Sequence, residues 1–184
     1  MEELVRKDDK KSPGKRSSVA TGVWVKPELL KDIQKKNFTR LSTTDPEFDR
    51  VLGGGIVPGS VILIGGDPGI GKSTLLLQVA MHIPCKVLYV SGEESAHQIK
   101  MRAERMGIKK EMQCDVLSET VLEEILKQIE TTPPQLLVID SIQTLQSATL
   151  ESAAGSVSQV RQCTADLINL GKRRNIPIML VGHI

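Results

Sequence analysis

The sequence predicts an α/β fold, a mostly parallel sheet with helices on both faces. Three observations lead there. Short apolar runs alternate with helical patterns from residue 61 to residue 182, the pattern of repeated strand–helix units. The runs are Val, Ile and Leu with little polar alternation, as in strands covered on both sides. Aromatics are only 2% of the 184 residues (Trp24, Phe38, Phe48 and Tyr89), so the core must be aliphatic, against an aromatic-rich β-sandwich.

Residues 1–37 read as a basic arm or linker, and residues 38–184 as the core. Residues 1–20 are Ser, Lys, Pro and Gly with almost no apolar period. Residues 1–40 carry 11 Lys/Arg against 6 Asp/Glu, while the rest carry 13 against 16, so a basic arm precedes a slightly acidic body. Two readings of the arm stand, a solvated linker and a segment that touches nucleic acid. PELLKDIQKK (27–36) predicts a short helix.

The body begins near Phe38. Asp45-Pro46 is a helix start, opening EFDRVL, which ends at Gly53-Gly54-Gly55. VILIG (61–65) reads as a buried strand and Lys72–Met81 as a helix. KVLYVS (86–91) is a second strand. Ser95 caps a helix that runs to Met106 and stops at Gly107. CDVLS (114–118) is a short strand. Thr120 with Glu123 predicts a capping box for a helix to about Ile129, broken by Pro133-Pro134. QLLVID (135–140) is a third strong strand. After a loop, a long helix covers about Ser156 to Arg174, and IPIMLVG (176–182) is a final strand, expected beside the first.

Composition excludes several classes. No stretch approaches the roughly 18 apolar residues of a membrane span. The charged start MEELVRKDDKKSPGKR contains no secretory h-region. Cys85, Cys114 and Cys163 are far apart and form no CxxC pair, which predicts no zinc site, no disulfide framework and a cytoplasmic protein.

Gly66-Asp67-Pro68-Gly69-Ile70-Gly71-Lys72-Ser73, followed by Thr74, matches G-x-x-x-x-G-K-[ST] at a strand–helix junction. Such a loop turns backbone N–H groups inward around a phosphate chain, and the helix N-terminus adds about half a positive charge there. Lys72 would reach the β- and γ-phosphates and Ser73 would ligate Mg²⁺. Leu136–Ile139 end in Asp140, a carboxylate at the carboxyl edge of a buried strand, expected to hold the Mg²⁺ site through water. In Val90-Ser91-Gly92-Glu93-Glu94, a carboxylate is placed to orient the water that attacks the γ-phosphate, Glu93 ahead of Glu94; a solvated acidic turn is the plainer alternative. His183, at the end of the last strand, is either a γ-phosphate contact or an ordinary strand-end residue.

Leu52-Gly53-Gly54-Gly55-Ile56-Val57-Pro58-Gly59-Ser60, GGDPGIGKSTLL, LYVSGEES, VIDSIQT and GSVSQVR together resemble the bacterial RadA (Sms) family of RecA-like DNA repair ATPases. The resemblance runs from about Arg40 to Ile184. It implies a RecA-like P-loop NTPase core that uses ATP and Mg²⁺, with Gly66 to Thr74 as nucleotide-binding loop, Lys72 catalytic, Asp140 at the Mg²⁺ site and Glu93 activating water. His183 falls where RecA-like proteins place a γ-phosphate sensor, often Gln. Gln143–Ser156 corresponds to a DNA-facing loop. The family further implies a homo-oligomeric, hexameric ring that binds single-stranded or branched DNA, works with a RecA-type recombinase and drives branch migration in recombinational repair.

The family also carries a four-cysteine zinc module before this region, and a Lys-Asn-Arg-Phe-Gly motif and Lon-protease-like domain after it. The resemblance therefore implies a middle piece, a core incomplete at its C-terminus. Two functional alternatives stand beside it: a KaiC-like nucleotide-dependent module acting on protein partners, and a fragment that binds nucleotide without turnover. A P-loop small-molecule kinase is disfavoured, because no acceptor lid is legible.

Overall fold

The computed structural model describes residues 27–34, 38–107 and 113–183. Most of the expected arm therefore lies outside the described residues. Within 27–34 the chain makes only a 3₁₀ turn, Leu30–Asp32, with Leu29, Leu30 and Ile33 exposed. This corrects the helix expected over 27–36 for its described part, residues 27–34; residues 35 and 36 lie outside the described residues. Leu29 offers no capping side chain, and a single turn closes too few hydrogen bonds to repay its ordering.

From residue 38 on, the elements are α1 (Pro46–Val51), β1 (Val61–Gly66), α2 (Lys72–His82), β2 (Val87–Ser91), α3 (Ala96–Arg105), β3 (Cys114–Ser118), α4 (Leu122–Thr131), β4 (Leu136–Asp140), α5 (Val157–Arg174) and β5 (Ile178–His183). All five strands are parallel, in the order β1-β5-β4-β2-β3. This is the α/β architecture of a RecA-like P-loop NTPase core. As expected, β5 lies beside β1, in register from Val61↔Ile178 to Gly66↔His183.

Strand alternation sorts the core into two layers. Val87 and Tyr89 of β2, Leu136 and Val138 of β4, and Met179 and Val181 of β5 pack under α2 and α3. Leu88 and Val90, Leu137 and Ile139, and Ile178 and Leu180 pack under α4 and α5. The period of two then decides where Asp140 faces: it shares the α2 side with Leu136 and Val138.

Caps define the helix starts. Asp45 accepts from the N–H groups of Glu47 and Phe48 at the head of α1. Ser95 and Gln98 form a complete capping box on α3. The box expected from Thr120 and Glu123 does not form. Val121 is the N-cap of α4 and lacks a side-chain cap. Glu119 instead accepts from the N–H groups of Thr120 and Val121, while Glu123 accepts from the Ser147 hydroxyl at 2.6 Å and the Ala148 N–H at 3.1 Å. Burial works against the Glu123 carboxylate, but these bonds draw its pKa below the ordinary value.

The expected loop at 143–156 is a hydrogen-bonded structure. It opens with a 3₁₀ turn, Ile142–Thr144. Gln159 of α5, buried at 1% exposure, then bonds the backbone of Ser147, Leu150 and Ser152.

Candidate functional site

The carboxyl ends of β1, β5, β4 and β2 lie along one edge of the sheet, and Gly66, Asp140, His183 and Glu93 are placed there. Gly66 closes β1, Asp67–Gly71 form the following loop, and Lys72, Ser73 and Thr74 open α2. Gly71 caps α2 with φ 97° and ψ 11°, a left-handed conformation that L side chains rarely adopt. No side chain caps α2, so its leading N–H groups face the loop, the arrangement that receives anions at helix N-termini. Pro68 and Ile70 lie in the loop, with Ile70 64% exposed.

The Lys72 side chain folds back under this loop. Its Nζ donates to the carbonyls of Gly66 and Asp67, both at 2.8 Å, and the residue is only 6% exposed. Two of its three donors are thereby fixed by backbone, which aims the ammonium at the loop interior.

Ser73 and Asp140 are 67 residues apart in sequence but in direct contact. Ser73 Oγ donates to Asp140 Oδ1 at 2.8 Å. The other carboxylate oxygen, Oδ2, accepts from the Tyr89 hydroxyl at 2.5 Å. Arg102 of α3 reaches the same group: its guanidinium is 3.4 Å from the Tyr89 hydroxyl and 3.9 Å from Oδ2, and it pairs with Glu94 at 3.2 Å. Burial, then the Asp140 charge and hydrogen bond, push the Tyr89 phenol far above its ordinary pKa, with Arg102 opposing, so it stays a proton donor. A hydroxyl and a carboxylate side by side are the hard oxygen donors that suit Mg²⁺, so these two residues fit that ion.

The two adjacent glutamates part company. Glu94 turns to Arg102. Glu93 stands half exposed at the mouth of the site, where its Oε1 accepts from Ser141 Oγ at 2.9 Å and lies 3.5 Å from His183 Nε2. His183 sits beside Gly66 across the β1–β5 pair, and its carbonyl accepts from Gln143 Nε2 at 3.0 Å. The structure thus brings Glu93 within 3.5 Å of His183 and Ser73 into contact with Asp140, whose strand β4 lies between β2 and β5.

Sequence reasoning missed Tyr89, Arg102 and Ser141. One signal was available for Arg102. It falls on the buried stripe of α3 defined by Ile99 and Ala103, where a charged residue calls for a partner.

Gly92, which separates β2 from Glu93, has no room for a side chain. A β-carbon there would strike the Thr144 hydroxyl and lie 3.1 Å from Thr120 Cγ2. Gly92→Ala is expected to lower stability by about 1–3 kcal/mol, the usual cost of overpacking, read as a lower urea midpoint. The same substitution should cost much less in a Thr144→Gly background, which lacks both the hydroxyl and the β-carbon that the added methyl strikes. An equal loss in both backgrounds would show that the clash is not the cause.

The three cysteines are chemically quiet. Cys85 and Cys163 are buried, and burial together with the nearby Asp115 pushes the Cys114 thiol up to about 12. Among the described residues, no helix is long and apolar enough to cross a membrane.

With this geometry in hand, the chain compares closely with known proteins. It is 52% identical over 167 residues to the DNA repair protein RadA of Streptococcus pneumoniae, covering 89% of this chain and 39% of that protein. It is 49% identical over 178 residues to RadA of Listeria monocytogenes (94% and 39%) and 47% over 187 residues to RadA of Bacillus subtilis (98% and 41%). The chain thus spans well under half the length of these curated relatives, and it resembles a middle region of them. The family model described as an AAA domain matches residues 26–184, which takes in the whole strand–helix body and every residue of the site, and the chain belongs to that AAA domain family.

Proposed function

We propose that the chain is the ATP-hydrolysing core of a RadA-like DNA repair protein, acting on recombination intermediates. The observation that carries this reading is the contact of Ser73 Oγ with Asp140 Oδ1 beside the buried Lys72 ammonium. A Gly-rich structural turn would require neither.

In this reading the loop N–H groups and Lys72 bind the β- and γ-phosphates of ATP. Ser73 and Asp140 would hold Mg²⁺, which when bound neutralises charge on the phosphate oxygens. Glu93 orients a water and accepts its proton as the water oxygen bonds to the γ-phosphorus. The bond from that phosphorus to the bridging oxygen breaks, leaving ADP and phosphate. Ser141 and His183 hold the Glu93 carboxylate toward the γ-phosphate side. Glu94 is committed to Arg102 and takes no part in the proton transfer.

A role in DNA repair is extended to this chain from the name of its relatives, and action on DNA, assembly into a ring and pairing with a recombinase from the family resemblance of its motifs. One observation favours a second reading, a nucleotide-dependent module for protein partners. Residues 143–156 contain no Lys or Arg, so that segment lacks the cations that grip phosphates. Phosphate release measured with and without single-stranded DNA, at low and physiological salt, separates the two. The proposed function expects stimulation that weakens steeply with salt. Turnover indifferent to DNA at both salt levels would favour the second reading.

A further inference from the structure

We propose that Tyr89 and Arg102 are positioning residues for Asp140, fixing which of its oxygens faces Ser73 and so where a divalent cation is held. This rests on the nucleotide-binding reading of the site above.

A carboxylate at a strand end has a soft terminal torsion and presents its two oxygens almost interchangeably. Here it is fixed from behind. Tyr89 is wholly buried, with its ring in the α2–α3 layer of the core, so its hydroxyl cannot swing away. That hydroxyl takes Oδ2 at 2.5 Å, which leaves Oδ1 directed at Ser73 Oγ. The Arg102 guanidinium, 3.9 Å from Oδ2, supplies the countercharge that a carboxylate 7% exposed requires. The same positive charge repels a divalent cation from Oδ2, leaving Oδ1, beside Ser73, as the open oxygen. Glu94 holds Arg102 in turn.

Three elements, β2, α3 and β4, are thus spent on orienting one carboxylate. Packing alone would be met by a phenylalanine at position 89. Partners of this kind, one bond removed from a metal, typically change metal affinity by about 10–100-fold when removed.

The test uses the full chain and a fluorescent N-methylanthraniloyl-ATP probe, titrated in EDTA and at rising Mg²⁺, with melting curves in parallel. Tyr89→Phe and Arg102→Gln are each expected to leave the EDTA affinity within about twofold of wild type. Each should raise the Mg²⁺ concentration at half effect about tenfold. An unchanged Mg²⁺ midpoint in both variants would overturn the proposal. So would an affinity that falls equally with and without Mg²⁺ alongside a lowered melting temperature, the mark of a packing residue. Should Tyr89→Phe fail to fold, Arg102→Gln decides by the same readout. A wild-type chain that binds the probe under no condition overturns the nucleotide reading and this proposal with it, and the wild-type control alone reveals that case.

Discussion

Replacing Lys72 with alanine is expected to weaken nucleotide binding about tenfold to a hundredfold and to remove ATP turnover. The ammonium is the one cation of the loop, and its side chain is already ordered by two carbonyl bonds at 2.8 Å. Bonds from a charged donor are worth about 1.5–3 kcal/mol each, and a phosphate chain takes up this donor's remaining capacity. At about 1.4 kcal/mol per decade, even one strong contact accounts for tenfold to a hundredfold in affinity. In the transition state, loss of one preorganised donor costs about 10²–10³ in rate beyond that. Lys72→Ala also leaves the Gly66 and Asp67 carbonyls without a donor, so loop order suffers as well. Lys72→Met, which keeps the aliphatic stem, separates the charge from the packing. Both variants should fail alike in a fluorescent-nucleotide titration and in phosphate release. Binding retained in Lys72→Met would mean that the charge does not engage phosphate, and the assignment of this loop would fall.

What the chain made legible, and what it hid, follows from how far apart the cooperating residues lie. Val87–Val90 and Leu136–Ile139 are strands of unmistakable aliphatic density, and so is Val61–Ile64, which forms an edge strand with Leu63 64% exposed rather than the buried strand expected, so the fold could be read from sequence. The glycine-rich motif from Gly66 to Thr74 could be read too, because its residues are contiguous. Asp140 was found by its place at a strand end. The period of two then carries it to the α2 side. Tyr89 could not be found this way. Its contact with Asp140 depends on β2 lying next to β4 in the order β1-β5-β4-β2-β3, with Val138 level with Tyr89 and Asp140 level with Ser91. Nothing in local spacing announces that adjacency. The misread cap of α4 has a related origin. Glu123 has the right spacing from Thr120, but the Ser147–Ala148 backbone, which folds over it, offers better donors. A local rule lost to a tertiary contact that the sequence pattern does not encode.

Glu93→Gln is expected to slow hydrolysis by about 10²–10⁴ while nucleotide affinity stays within about twofold, the range typical for loss of a general base. The substitution keeps the shape of the side chain and an oxygen to accept from Ser141, so the turn after β2 should hold. What it removes is the carboxylate that takes a proton from water. Because the Glu93 side chain is about half exposed, its exchange costs little stability, and the melting temperature should barely move. Glu94→Gln makes the opposite forecast. It discards half of an ion pair whose Arg102 side chain is only 16% exposed, so it should lower the melting temperature while turnover persists. The two neighbours differ by one position in the chain and by the group each one faces, so single-turnover phosphate release on both variants separates base from structural partner. Turnover abolished by Glu94→Gln and spared by Glu93→Gln would reverse the assignment. It would also make the Arg102 pair part of the proton path rather than its support.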